Sequence, residues 1–344
     1  MNRKAQMMAL SKIELSELPM PQPKPDEAVV KIEYCGICGS DVHFFREGRI
    51  GKKVIDRPFI LGHECSGVVI QLGSQVTGLK VGDRVVLEPG VPCGKCEFCK
   101  SGRYNLCPDV HFMASPPYDG ALRNYLAYPA DMLFVLPENV SSLEGAMIEP
   151  LCVGLHAAEQ GEVCLGKTVT ILGAGCIGMM TLLACKAMGA SQIIVSDVFD
   201  LRLSKAKELG ADFVINAKDV DTVEQVAQIT GGVGTDIVFE AAGNPITMAQ
   251  TSKIVKRGGN IVVTGNVTQP TQYDFLEISV KEATIKTVFR YANLFPLAIR
   301  AIASGKIDIM SIQPKIFDFE QTHEAFQYTV EHSQSILKSV IKMD

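Results

Sequence analysis

Thiols, imidazoles, a hydroxyl and carboxylates gather in one short part of this chain. Cys35-Gly-Ile-Cys38-Gly-Ser40-Asp41-Val-His43 opens it and Leu61-Gly62-His63-Glu64-Cys65 closes it, with glycines that let the backbone turn tightly. Thiolate, imidazole and carboxylate are the ligand types zinc takes, and a catalytic zinc needs three protein ligands and an open position. Cys38 and His63 are the leading ligand candidates, with Glu64 or a more distant carboxylate as the third. The same residues also admit a Cys-x-x-Cys redox loop or a plain turn histidine beside Gly62.

A second group follows at Cys93-Gly-Lys-Cys96-Glu-Phe-Cys99 and Cys107, spaced C-x2-C-x2-C-x7-C in a segment too polar to bury a core of its own. Four thiolates suit a closed tetrahedral structural zinc site. The competing readings are an iron–sulfur site and two disulfides. The interval of seven before the last Cys differs from the three of bacterial ferredoxins. Eleven cysteines with no export signal in view point to thiols kept reduced, for packing or for metal, in a cytoplasmic setting.

The third chemical signal is Gly173-Ala-Gly175-Cys-Ile-Gly178, a G-x-G-x-x-G between the strand pattern Thr168–Leu172 and a helical stretch from Met179 to Met188. A strand at 192–197 then ends in Asp197, 24 residues after Gly173. The glycines allow a tight turn and close approach of a pyrophosphate, and the acid can bind the ribose hydroxyls. Asp197 would repel a 2′-phosphate, so NAD is favoured over NADP; Arg202 tempers that preference.

These groups need elements to hold them. The first 90 residues read as a small antiparallel β-barrel with a site in its loops: strands at 28–34, 67–72 and 81–87, and a Pro-studded loop at 19–25. From Lys167 onward, strands at 168–172, 192–197, 213–216, 236–240, 260–264 and 284–289 alternate with helical patterns, which is a doubly wound parallel sheet. The tail, 293–344, holds two helical patterns and a closing strand at 335–342 that is expected to return to the barrel. Glu149 interrupts apolar sequence just before Pro150, where a helix-start carboxylate is the plain reading.

Composition agrees with a folded enzyme-sized protein. The 344 residues are 47% hydrophobic and 21% charged, enough for two domains with substantial cores. A net charge of −5 leaves no electrostatic footprint for nucleic acid. The uncharged run from Thr168 to Cys185 is broken by Gly173, Gly175 and Gly178, so a strand turning into a buried helix explains it better than a membrane span. A soluble protein is expected.

Barrel, four-Cys lobe and dinucleotide fold, in this order, resemble the zinc-dependent medium-chain alcohol dehydrogenases over the whole chain. Gly48-Arg49-Ile50-Gly51, Ile148-Glu149-Pro150-Leu151 and Val288-Phe289-Arg290-Tyr291 resemble the sorbitol (polyol) dehydrogenase branch. The resemblance implies an α/β fold: a GroES-like zinc-binding catalytic domain over 1–149 and 290–344, with the zinc lobe at 93–107, and a Rossmann NAD-binding domain over 150–289. It implies two zincs per chain. The catalytic one would be held by Cys38, His63 and Glu64, with Glu149 ligating directly or through water, and the structural one by Cys93, Cys96, Cys99 and Cys107. It further implies that Ile177, Asp197, Arg202, Thr264, Gly265 and Asn266 contact NAD with Gly173, Gly175 and Gly178, and that Val288, Phe289 and Arg290 line its nicotinamide end. Arg290 and Tyr291 would donate hydrogen bonds to outer polyol hydroxyls. Ser40 and His43, or Glu149 and water, would carry the proton away, and Cys35 and Cys65 become packing thiols.

Two departures qualify the substrate. Phe44 stands where sorbitol dehydrogenases typically have Tyr, removing one hydroxyl from the substrate side and opening the choice to another polyol, a polyol phosphate or a vicinal diol. The Cys lobe is absent from animal sorbitol dehydrogenases and suggests a microbial branch. The expected activity is hydride transfer between NAD and a polyol or secondary alcohol, with L-threonine or butanediol dehydrogenase as the alternative. A non-catalytic NAD(H)-binding protein is the reading from another class. The resemblance also implies a homotetramer.

Overall fold

A computed structural model describes residues 1–343; Asp344, the end of the first domain in the sequence reading, lies outside them. The chain forms two compact units: Met1–Glu149 with Phe295–Gly305 and Gln313–Asp344, and Pro150–Leu294 with Lys306–Ile312. A domain boundary at 290 is therefore too early, and Lys306–Ile312 belongs with the second unit. There the short 3-10 turn Ile309–Ile312, with both ends buried, packs against the helix Asp200–Leu209.

The first unit is organised on the strand Glu27–Ile37. Ala28, Val29, Val30 and Ile32 are wholly buried in it, as β-branched residues are in a strand covered on both faces. Glu64–Leu72 pairs antiparallel along one edge, followed outward by Arg84–Leu87 and Leu133–Val135. Two strands share the other edge. Tyr125–Pro129 pairs with the stretch from Glu27 to Lys31, and Ser339–Lys342 pairs with Tyr34 to Ile37. The closing strand is thus shorter than the expected 335–342; it also pairs in parallel with Lys315–Asp318. Phe44, Phe45, Phe59 and Phe326 fill the core of this unit.

The second unit holds six parallel strands in the order Phe213–Asn216, Gln192–Asp197, Thr168–Leu172, Thr235–Glu240, Val255–Val263 and Thr284–Thr287. The order reverses between Thr168–Leu172 and Thr235–Glu240, so the crevice beyond their carboxyl ends is the topological switch point where ligands bind. The last strand stops at Thr287, short of the expected Phe289. The helix Phe275–Lys281 was not anticipated: its Phe275, Leu276 and Val280 are exposed, so it shows no clean apolar stripe. Among the described residues no helix is long and apolar enough to cross a membrane.

Candidate active site

Cys38, His63 and Glu64 come together in the first unit, their ligand atoms all within 4.8 Å of one another. Cys38 is the N-cap of the helix Gly39–Glu47, and Asp41 at N3 closes a capping box by accepting from the Cys38 N–H at 3.0 Å. The other carboxylate oxygen of Asp41 accepts from the Gly62 N–H at 3.0 Å, and His63 Nδ1 lies 3.6 Å from Asp41. One carboxylate, 1% exposed, therefore fixes the backbone on both sides of the cluster and orients the imidazole, as outer partners of metal-bound histidines do. Gly62 sits at φ 89°, with Cys35 Sγ 2.7 Å and Leu122 Cγ 2.9 Å from where a Cβ would stand, so only glycine turns here.

The electrostatics favour positive charge at the centre. Burial works against a charge on His63, but the Asp41 carboxylate and the Cys38 thiol outweigh it and hold its pKa well above the ordinary value. Burial would likewise raise Asp41; the His63 charge and the N–H groups of Gly62 and Cys38 prevail and leave it lowered. By contrast, burial pushes Cys65 up to about 12 and Cys35 well above its usual value. Those two remain packing thiols.

Glu149 is buried in the first turn of the helix Ile148–Gly161, yet it stands outside the 4.8 Å group of three. A thiolate and one carboxylate already balance a dication, so a second carboxylate in direct contact would weaken its pull on a substrate oxygen. Ser40 lies in the first turn of the same helix as His43. The His43 side chain is 39% exposed, with Nε2 3.3 Å from Glu47. Phe44 is buried in the core at 4% exposure. Two groups escaped the sequence reading: Asp41, quoted there only as part of a motif, and Lys338, whose ammonium pairs with the Glu64 carboxylate. The capping-box spacing from Cys38 to Asp41 was the available signal for the first.

The four-Cys lobe forms a second cluster, all four sulfurs within 4.8 Å. Cys96 and Cys99 sulfurs are 3.3 Å apart, and the Cys93 and Cys99 N–H groups donate to the sulfurs of Cys107 and Cys96. Backbone N–H groups of Lys95 and Cys96 hold the Cys93 thiol down to about 6. All eleven cysteines are free, which removes the disulfide reading. Between Cys99 and Cys107, Tyr104 donates from its hydroxyl to the buried Glu88 at 2.7 Å. Burial lifts Glu88 to about 7, against the Tyr104 hydrogen bond and helped by the negative charge of Glu149.

In the second unit a cavity of about 790 Å³ opens beyond the switch point, lined by Gly173, Gly175, Asp197, Phe199, Arg202 and Thr247 among others. The three glycines divide the work expected of the fingerprint. Gly173 has φ 105°; a Cβ on Gly178 would collide with the Gly173 carbonyl; the Cβ position of Gly175, the N-cap of Cys176–Ala187, meets nothing nearer than Arg202 at 3.8 Å. That open space at a helix N-terminus with no side-chain cap is where a pyrophosphate fits. Asp197 accepts from Ala174 N–H at 2.7 Å and from the Val198 and Phe199 N–H groups, with Arg202 at 3.5 Å. It ties the glycine loop to the end of its strand as well as lining the cavity. Thr264 and Gly265 donate their N–H groups to the Glu240 carbonyl, a residue the sequence reading placed only as a strand end. Ile177 is half-buried and Asn266 exposed, Val288 donates to the Val263 carbonyl, and Phe289 is exposed with the Arg290 guanidinium 4.6 Å from its ring centre. Arg290 holds φ 56°, and Tyr291 is buried.

Comparison with known proteins places this geometry. Residues 24–138 match the alcohol dehydrogenase GroES-like domain and 176–304 the zinc-binding dehydrogenase domain. The chain is 47% identical to a zinc-type alcohol dehydrogenase-like protein of Escherichia coli K12, over 99% of both chains. It is 42% identical to the sorbitol dehydrogenase of Bacillus subtilis, over 99% of this chain and 97% of that one. A crystal structure of an Escherichia coli oxidoreductase of unknown specificity superposes with a TM-score of 0.96 at 46% identity, covering 99% of each chain. The cluster of thiol, imidazole and carboxylate, the four-thiol lobe and the glycine loop therefore carry the chemistry of an established lineage, and the chain belongs to the zinc-dependent medium-chain alcohol dehydrogenases, in the sorbitol dehydrogenase branch.

Proposed function

We propose that this oxidoreductase passes a hydride between NAD and a polyol or secondary alcohol at a zinc held by Cys38, His63 and Glu64. One observation carries the reading: three donors of different chemistry, two of them almost wholly buried, converge within 4.8 Å. They match the ligand set of an open catalytic zinc site, while Cys93, Cys96, Cys99 and Cys107 match a closed structural one. A zinc at the first site supplies Lewis acidity that lowers the pKa of a bound hydroxyl, and the nicotinamide supplies the hydride chemistry.

The chain's own residues do the rest. Asp41 orients His63 and fixes Cys38 by its backbone. Glu149 stands by as a buried carboxylate for the substrate or its water. Ser40 and the half-exposed His43 hand the departing proton toward solvent, a route favoured over Glu149 because His43 reaches water and Glu149 is buried. Gly173, Gly175 and Gly178 accept the pyrophosphate. Ile177, Asp197, Arg202, Thr264, Gly265 and Asn266 hold the adenosine and ribose portions, and Val288, Phe289 and Arg290 border the nicotinamide. Arg290 and Tyr291 donate to outer substrate hydroxyls, while Phe44 belongs to the core of the first unit. The Asp197 carboxylate supports NAD over NADP.

A cytoplasmic setting is supported by eleven free thiols. A homo-oligomer is supported by the family and by Thr284–Thr287 standing at the end of its sheet among the described residues, with Phe275 and Leu276 exposed in the helix before it; sedimentation measures it. The function is tested by assaying purified protein with NAD against polyols, polyol phosphates, butane-2,3-diol and L-threonine, together with metal analysis. NADH formation with a polyol and two zincs per chain are expected. No NADH from any alcohol on the panel would sink the proposal.

A further inference from the structure

The strand Thr235–Glu240 carries a buried acid near each end, and the two are treated differently. Asp236 has the ammonium groups of Lys256 at 2.6 Å and Lys167 at 3.5 Å. Glu240 is wholly buried, and among the described residues it forms no ion pair. Its Oε1 accepts from the Ala242 N–H at 3.1 Å, the Gly243 N–H at 2.8 Å and the Thr247 hydroxyl at 2.7 Å, which is how an anionic oxygen is held. Its Oε2 has no hydrogen-bond partner. A Cβ on Gly265 would stand 2.5 Å from that Oε2, so the glycine lets the carboxylate lie directly behind the loop at 264–266. Burying a carboxylate with no cation beside it is costly, and a wall alone would not need one.

The sheet fixes where this charge stands. Ala241, Ala242 and Thr247, just after Glu240, line the cofactor cavity. Glu240 is the register partner of Val263, and Val263 of Thr287. It therefore lies two strand spacings, about 10 Å, from the point where the chain enters 288–290. We propose that Glu240 sets the balance between the two redox forms of the cofactor, favouring the cationic nicotinamide of NAD+ over the neutral ring of NADH. The inference rests on the reading of 173–178 and 288–290 as the NAD site. The two forms share their phosphates and adenosine and differ by one positive charge on the ring, so a fixed negative charge acts on that difference. In a poorly screened interior the attraction persists over about 10 Å. Glu240 thus loosens NADH relative to NAD+, which favours departure of the reduced cofactor after alcohol oxidation.

The test is the ratio Kd(NADH)/Kd(NAD+), measured on the full chain by equilibrium dialysis. Glu240→Gln removes the charge and keeps an oxygen for the three donors. Glu240→Ala removes the charge and the side chain together, and decides the matter if the glutamine variant does not fold. Glu240→Asp keeps the charge. The ratio is expected to fall about threefold or more in Glu240→Gln and Glu240→Ala and to stay within about twofold of the parent in Glu240→Asp, even where both affinities drop. A carboxylate that only braces the loops would weaken both forms alike when lost, so an unchanged or raised ratio in the charge-removing variants overturns the inference. Parent protein that binds neither form would instead overturn the reading of the cofactor site, and this inference with it.

Discussion

The two metal clusters of the first unit solve the same coordination problem in opposite ways. The lobe draws four identical donors from fifteen consecutive residues, half-exposed for the most part, and its sulfurs are held by nearby N–H groups. Such a site needs little beyond its own loop and closes around its ion. The candidate catalytic cluster draws three unlike donors from two separate stretches of chain, a helix N-cap and the start of a strand, and buries two of them. It depends on charges brought from elsewhere: Asp41 behind His63, and Lys338 from the closing strand behind Glu64. Identical donors make an inert clamp, whereas unlike donors with buried counter-charges make a site whose acidity and lability are set by the fold.

His63→Ala should break the contrast hardest. It is expected to lower kcat by about 10³-fold or more, several kcal/mol of transition-state stabilisation, and to take zinc content from two per chain to one while the lobe stays loaded. Retained activity would mean that the lobe, or neither site, does the chemistry. Cys107→Ser attacks the other side. Loss of the lobe's metal should lower Tm by roughly 5 °C or more while the remaining folded enzyme keeps most of its activity per cluster zinc; a kcat collapse at unchanged Tm would reverse the roles.

Asp41→Asn tests the dependence of the buried cluster on borrowed charge. Zinc affinity there should fall about 10–100-fold, read by competition with a chelator, and the lobe should not respond. The smallest effect probes the bridge between the two sites, Glu88, which Tyr104 of the lobe touches and Glu149 repels. Its folded pKa of about 7 lies above the unfolded value near 4.5. Folding therefore binds a proton there: the stability it confers is present below about 4.5 and is lost as pH rises through 7. Glu88→Gln should stabilise the protein by roughly 1–2 kcal/mol at pH 8 and change little at pH 4 in denaturant titrations. Equal effects at both pH values would show that Glu88 is not protonated by burial.

The contrast also explains what could be read in advance. Cys93 to Cys107 are legible because every ligand and its spacing lie in one stretch. Cys38, His63 and Glu64 are legible as residue types, since glycines mark their turns. The charges behind them are not. Asp41 looks like a helix-start acid until the fold brings Gly62 and His63 to it. Lys338 is one residue of the expected strand 335–342, and nothing in its neighbours announces Glu64, far earlier in the chain. Glu149 was legible as an intruding acid, and the structure buries it in the first turn of the helix Ile148–Gly161. The parallel sheet was legible from its alternation. The helix Phe275–Lys281 was not, because Phe275, Leu276 and Val280 face outward and only Ile278 is buried, which leaves no apolar period.

The place of Ser339–Lys342, hydrogen-bonded between Glu27–Ile37 and Lys315–Asp318, imposes an order in time on the newborn protein. The last thiol of the lobe, Cys107, is synthesised 231 residues before Lys338, which at ~5–20 residues per second is tens of seconds at the slower rates. The lobe can take up its ion during translation. The barrel cannot receive its last strand, nor Glu64 its counter-charge, until synthesis is nearly over. Until then the Glu64 carboxylate stands without the lysine that pairs with it in the folded chain.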